Sequence, residues 1–360
     1  MIDELVLKVG GRRLTGWTEI EVTRGIEQIP NTFRISATEA SPVASDAVMV
    51  EEGAACTISL GADLVLTGYV DAVIPGYGAG GHAVTIQGRG KCEDLVDCSA
   101  EWPTCQISGS NALEIAQKLS RPYGITATNI GPAGPKIDQF NINLTETPGD
   151  ILELVCRVAQ LLYYEDPNGN LVLAQAGTAK AGSGFVEGGN VQAASAPRSV
   201  AGRYSDYLCS TVAVNTSPLL VNNDDLYVGK VADPNIKRHR KLVSVIEGVP
   251  GSPDLAKKRA TWDMNRRAGR GRRVRLTADS WRDGKGKLWE PNTLAPVTLP
   301  RLKVREKGLC IAEVVYRLGL SGGRTADVLL MPKEAFLPEP IVLQPVLFGL
   351  DPPPAGQGAR

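Results

Sequence analysis

Histidine, aromatic residues and paired cysteines are all scarce in this chain, and each scarcity argues against a class of chemistry. Only His82 and His239 occur in 360 residues. A Ser–His or Cys–His nucleophile would need one of them, and no G-x-S-x-G or H-E-x-x-H motif is present. His82 stands at the start of an expected strand. His239 lies in the basic run Lys237-Arg238-His239-Arg240-Lys241. Both read as surface or structural residues. The seven cysteines (56, 92, 98, 105, 156, 209 and 310) are odd in number, and no pair has C-x-x-C spacing. That argues against a disulfide framework and a zinc knuckle, and for buried free thiols. No apolar run reaches the ~20 residues of a membrane span. The start, Met1-Ile2-Asp3-Glu4-Leu5, lacks the basic flank and long apolar core of a secretion signal. The expectation is synthesis in the cytoplasm without export. Aromatics make up 5% of the chain, against 39 glycines and 24 prolines, a mix that suits short strands and turns rather than long helices.

Charge is plentiful but divided. The net charge is zero, yet residues 1–180 carry 12 basic and 22 acidic side chains, and residues 181–360 carry 27 and 17. Such asymmetry fits opposed faces, or like molecules meeting through complementary halves.

Alternating apolar residues place strands at Leu5–Val9, Trp17–Thr23, Thr32–Ala37, Ala55–Leu60, Leu64–Ile74 and His82–Gly88, with Gly10-Gly11 as a tight turn. Six short strands make residues 1–100 a first β-barrel-like domain. Residues 101–175 read as α+β. Ser110 caps a helix to about Ser120. A second helix opens at Thr147, with Pro148 at its first position, Asp150 closing a capping box, and Ile151, Leu154, Val155, Val158 and Leu162 as its stripe. Asp166-Pro167-Asn168-Gly169 then turns a hairpin between Leu162–Glu165 and Asn170–Ala174. Residues 176–202, rich in Ala, Gly and Ser, read as a linker or loop. Residues 203–337 form a second β-barrel-like domain, with strands at Tyr207–Asn215, Arg273–Ala278, Leu294–Leu299, Leu309–Leu318 and Thr325–Leu330, and a helix over 253–268. Residues 338–360 carry six prolines and form a tail that drapes over a neighbour or stays disordered.

One echo links the two ends. Ala55–Leu60, Leu64–Ile74, Gly80-Gly81 and His82–Gly88 match Leu294–Leu299, Leu309–Leu318, Gly322-Gly323 and Arg324–Leu330 in order and tip. Few residues are identical, so this is a weak sign of duplication.

Three motifs could carry chemistry. Gly76, Gly78 and Gly81 satisfy G-x-G-x-x-G, but a dinucleotide site needs a helix behind the loop. Here the β-branched, period-two segment His82–Ile86 follows, so a hairpin tip is the better reading. Glu93, Asp94 and Asp97 could serve glycoside hydrolysis or hold a divalent metal; capping and turn formation explain them as well. Residues 257–275 hold nine Lys and Arg against one acid, Asp263. Arg266, Arg267, Arg270, Arg272 and Arg273 are candidate interface or anion contacts. Phosphate binding is open to them, but no nucleic-acid module surrounds them. A solvated helix face, or an interface with an acidic neighbour, fits better. No catalytic residue, cofactor or metal ligand is assigned.

Several segments resemble the Mu-like tail protein / late-control D family, baseplate hubs of contractile phage tails. They are Val6-Leu7-Lys8-Val9-Gly10-Gly11, Gly16-Trp17, Ile26-Glu27-Gln28 with Phe33, Gly68-Tyr69-Val70-Asp71, Gly88-Arg89-Gly90-Lys91, and Asp94 to Ala100. The helix and hairpin from Thr147 to Leu173 match too, as do Trp281, Gly286, Leu288-Trp289, Pro291-Asn292, Leu294 and Met331-Pro332 through Phe336. Their order, more than any one motif, carries the likeness. Two departures are the Gly/Ala-rich stretch 176–192 and the loss of the family's glycine after the central helix, where Gln160-Leu161 stands. The resemblance implies a β-rich α+β fold: two small β-barrel-like domains with an α+β domain between them, assembling as a homotrimeric ring. It implies a non-enzymatic structural role in the virion tail baseplate, assembled in the host cytoplasm. The partners implied are the central spike and tail tube proteins, with tape-measure and baseplate-wedge proteins beyond them. Two alternatives stand beside it: a hub-associated peptidoglycan hydrolase, and the spike-hub part of a related contractile injection or secretion machine.

Overall fold

The computed structural model describes residues 4–38, 50–78, 81–212, 226–247, 253–319 and 323–341. The fold is β-rich with several sheets, and the largest has 14 strands drawn from both ends of the chain.

The first end supplies β1 (Leu5–Val9), β2 (Arg12–Leu14), β3 (Glu19–Gly25), β4 (Thr32–Thr38), β5 (Ala55–Leu60), β6 (Asp63–Gly78) and β7 (Gly81–Gly90). Every second side chain is buried along β3 and β5 and most of β7, as strands with one face on a core require. The G-x-G-x-x-G segment is a hairpin tip. Gly76 and Gly78 end β6, Gly81 opens β7, and the two strands pair directly.

The next unit holds α1 (Asp94–Asp97), β8 (Gln106–Ser110), α2 (Ala112–Ser120), β9 (Ala127–Ile130), β10 (Ile137–Asn141), α3 (Pro148–Ala159), β11 (Leu162–Glu165) and β12 (Leu171–Ala174). Ile115, Leu119, Ile151, Val155 and Leu173 share its core. The cap of α2 is Asn111 rather than Ser110. Asn111 Oδ1 accepts the Glu114 N–H and the Glu114 carboxylate accepts the Asn111 N–H, both at 3.0 Å. Ser110 is instead the last residue of β8. The Thr147–Asp150 box forms as expected. Leu162 leaves the helical stripe to open β11. Gln160 ends α3 at φ 56°, its amide donating to the Arg157 carbonyl at 2.6 Å. A side chain thus sits at the left-handed cap position where glycine is usual.

Two expectations about the second half are corrected. The stretch 176–202 is not a plain linker. It carries β13 (Ala179–Lys180), β14 (Phe185–Val186) and β15 (Val191–Ser195), all in the large sheet. Phe185 is fully buried and stacks on Trp289 with ring centroids 4.1 Å apart. Nor is 203–337 a single barrel. β16 (Asp206–Val212), β17 (Leu226–Ala232) and β18 (Lys241–Glu247) form a separate sheet. Helix α4 (Pro253–Arg270) packs on it through Ala260, against Tyr207 and Cys209. Among the described residues of this stretch, only β19 (Val274–Ala278), β20 (Thr293–Leu299), β21 (Val304–Gly319) and β22 (Gly323–Met331) return to the large sheet. The end of the strand expected at Tyr207–Asn215, and the tail from residue 342, lie outside the described residues.

The echo between the two ends is far deeper than residue identity suggested. β6 and β21 each have 16 residues, and the ninth in each, Asp71 or Ala312, bulges out of register with the following strand. From there Ala72–Gly78 and Glu313–Gly319 run to tips closed by Gly81 and Gly323, both at positive φ. Through their pairing with β7 and β22, Arg34, Ile35 and Ser36 correspond to Arg275, Leu276 and Thr277. Even a cross-strand contact repeats. The Ser36 and Thr85 hydroxyls meet at 2.9 Å, and the Thr277 hydroxyl donates to Asp327 at 2.7 Å. One barrel-like half is therefore ordered β3-β4-β7-β6-β5 and the other β15-β19-β22-β21-β20. They join where β3 pairs with β21, over Ile20–Gly25 and Glu313–Leu318. One apolar core, from Leu5 to Leu330, runs beneath both.

Candidate assembly surface

Strand β11 touches both halves with consecutive residues. Tyr164 accepts a hydrogen bond from the Asn292 amide at 3.2 Å, and Asn292 also donates to the Gln175 carbonyl and accepts from the Gly177 N–H. Glu165 reaches the first half. Its carboxylate accepts the backbone N–H groups of Asn31 and Cys92, each at 2.8 Å. Gly90 is essential to the fit, because a Cβ there would lie 1.9 Å from the carboxylate. Burial pushes the Glu165 pKa from an ordinary 4.5 up to about 7, against the pull of the two N–H donors and of Arg24. One joint is a neutral amide and the other a titratable acid.

The acidic cluster near α1 has a structural use. Arg89 meets Asp71 at 2.8 Å, Glu93 at 3.2 Å and Asp97 at 2.8 Å. Burial, then the neighbouring Asp71, raise the Glu93 pKa to about 7 while Arg89 lowers it. The carboxylates cage a cation of their own chain. Among the described residues no group of three or more His, Cys, Asp or Glu could hold a metal, and no helix is long and apolar enough to cross a membrane. His239 Nδ1 lies 3.4 Å from Asp206.

The five candidate arginines separate. Arg266 donates toward the carbonyls of Ala335 and Leu337 and lies over the Trp262 ring. Arg267 reaches the Gly202 carbonyl and Asp263, and Arg270 pairs with Glu27. These three fasten α4 to the rest of the chain. Arg272 pairs with Glu306 at 2.5 Å, and Arg273 is exposed. Both line a cleft of about 820 Å³, together with Arg198, Lys303 and Arg305. The last three come from distant segments that only folding brings together.

Two strand edges complete the surface. β15 ends the path of the large sheet. Beyond its bulge, β6 has β7 on one side and, among the described residues, no strand on the other. Large apolar side chains stand exposed on β6, at Ile74 (50%) and Tyr77 (94%).

Known proteins share this fold. The Mu phage baseplate assembly protein GpP-like N-terminal profile matches residues 4–90. The baseplate hub protein gp44-like second-domain profile matches 92–175, and the GpP fourth-domain profile matches 252–339. The 43 kDa tail protein of prophage MuSo2 from Shewanella oneidensis is 30% identical, with a TM-score of 0.79 over 94% of this chain and 100% of that one. The chain belongs to the Mu-like phage baseplate hub family. Another such hub, gp44 of Escherichia phage Mu, is 26% identical over 347 residues, 94% of this chain and 90% of that protein. The tail protein from Neisseria meningitidis shares the fold at 18% identity, with a TM-score of 0.77 over 94% of this chain and 98% of that one. The baseplate hub shares its overall fold with these tail proteins. Its place is the tail baseplate of a phage virion.

Proposed function

We propose that this hub acts as a homotrimeric ring that joins the central spike to the tail tube. The observation that carries this reading is the matched pair of halves within one sheet. Three chains so built present six similar units, which suits a spike of threefold symmetry on one side and a sixfold tube on the other. The separate cores of residues 92–175 and of the β16–β18 sheet with α4 act as flanking domains around the ring. Arg272 and Arg273, at the mouth of the basic cleft, are the interface or anion contacts. Arg266, Arg267 and Arg270 keep α4 in place for them. The role is architectural rather than enzymatic, with assembly in the host cytoplasm and with tape-measure and wedge proteins as outer partners.

Light scattering and electron microscopy test this reading. A trimeric ring is expected. Monomer alone at micromolar concentration, even with the spike protein present, would overturn it. Zymography on peptidoglycan tests the hydrolase alternative: lysis lost in Asp94→Asn and Asp97→Asn would replace the architectural role with a catalytic one.

A further inference from the structure

We infer that the outer edge of β15 pairs antiparallel with the bare edge of β6 in a second copy of this chain, repeating the internal β3–β21 seam in a defined register. This rests on the ring reading above and deepens it. Within one chain, β3 of the first half lies on β21 of the second. The counterpart of β3 in the second half is β15, because both flank the matched strands β4 and β19. The counterpart of β21 in the first half is β6. Applying the same step once more brings β15 onto β6 of the next copy.

The pairings supply the register. Glu21 lies opposite Arg34, and Ser195 opposite the matched Arg275. Glu21 also lies opposite Arg317, whose place in β6 is held by Gly76. Ser195 therefore meets Gly76 of the second copy, with Ala194 opposite Tyr77, Ala196 opposite Pro75 and Pro197 opposite Ile74.

Two observations favour a second copy as the occupant, and a third sets the strength of the seam. First, positions buried at the internal seam are exposed at the outer ones. Ile26 is 1% exposed and its counterpart Val200 is 56%, while Val315 is 8% exposed and its counterpart Ile74 is 50%. Second, charge is complementary. The Ile26 N–H donates to the carbonyl of the bulged Ala312, so Asp71, the matching bulge, approaches Val200. That sets the Asp71–Glu93–Asp97 cluster beside the cleft of Arg198, Arg272 and Arg273. Third, the same bond fixes the phase, in which Tyr316 exchanges both backbone bonds with Val22. Pro75, the counterpart of Tyr316, lacks an N–H, so the outer seam holds one bond fewer than the inner one. It is the weaker seam and forms after the chain has folded.

Cysteine cross-linking of the full-length chain tests the register. Ser195 and Gly76 fall at a non-hydrogen-bonded pair, where Cα atoms are about 4.5 Å apart, within disulfide reach. A Cβ at Gly76 meets nothing within 4 Å, and Ser195 is exposed, so both substitutions are tolerated. Mixing the single variants Gly76→Cys and Ser195→Cys under mild oxidation gives a reducible covalent dimer that neither variant forms alone. The double variant gives covalent trimer. Trimer by light scattering without this cross-link would overturn the edge pairing and leave the ring intact. Stronger cross-linking of Gly76→Cys with Ala194→Cys would overturn the register. Monomer by light scattering would overturn the ring reading itself.

Discussion

Val315 in the β21–β22 hairpin is 8% exposed, and Ile74, at the matching place in the β6–β7 hairpin, is 50% exposed. The hairpins are alike in length, bulge and tip. What differs is the neighbour: β3 lies along β21 beyond its bulge, and no described strand lies along the matching stretch of β6, Ala72–Gly78. Burial at these positions is therefore a property of the seam, not of the hairpin.

The largest test breaks the inner seam. Tyr316 is fully buried there and its hydroxyl donates to the Trp289 carbonyl. Tyr316→Ala is expected to cost about 3–5 kcal/mol, read by urea unfolding through the fluorescence of the nearby Trp281 and Trp289. Tyr77→Ala, on the bare hairpin, should change monomer stability by less than about 0.5 kcal/mol. Equal losses at the two sites would end the contrast.

A second test compares the two joints of β11. Glu165 is 2% exposed, and its pKa is raised from 4.5 to about 7. The fold thus favours the protonated acid. Its contribution to stability is full below about pH 4.5 and is lost as the pH rises through about 7. Wild type should lose on the order of 2–3 kcal/mol more than Glu165→Gln between pH 4.5 and 8, followed by chemical denaturation across pH. Asn292, at the other joint, contributes no such slope, so Asn292→Ala should lower stability by the same amount at every pH.

The smallest effect lies on the rim of the seam. Arg317 pairs with Glu21 at 2.6 Å and Asp327 at 2.7 Å, all partly exposed. Arg317→Ala should cost about 0.2–1 kcal/mol, and less in 1 M salt. Gly76 holds the matching place on β6 without a charge. Chemical denaturation of the wild type and Arg317→Ala in low and high salt checks the cost.

Sequence patterns gave away the parts whose signals are local. Gly10-Gly11, the Thr147–Asp150 box and the Asp166–Gly169 turn each name their structure through backbone chemistry. The hairpin echo was visible in outline, but not the bulges, because a bulge leaves no residue signature at Asp71 or Ala312. The strands of 176–202 were hidden by their composition. Their place is fixed by contacts more than a hundred residues away, as when Phe185 stacks on Trp289. The basic cleft was half legible. Arg272 and Arg273 stood in an obvious run, whereas Arg198, Lys303 and Arg305 join them only through tertiary structure. Glu165 gave no signal, because what sets it apart is the closeness of Gly90 and of two distant N–H groups.

The inner seam also acts as a unit of angular measure. A chain with one edge to give and one to receive is a head-to-tail building block, and nothing in such a block by itself counts to three. In the ring proposed above, the turn from one half to the other across β3–β21 decides whether successive copies close on themselves or wind into an open filament. For that ring, a substitution that changed the twist of the seam without loosening it is expected to change the number of subunits.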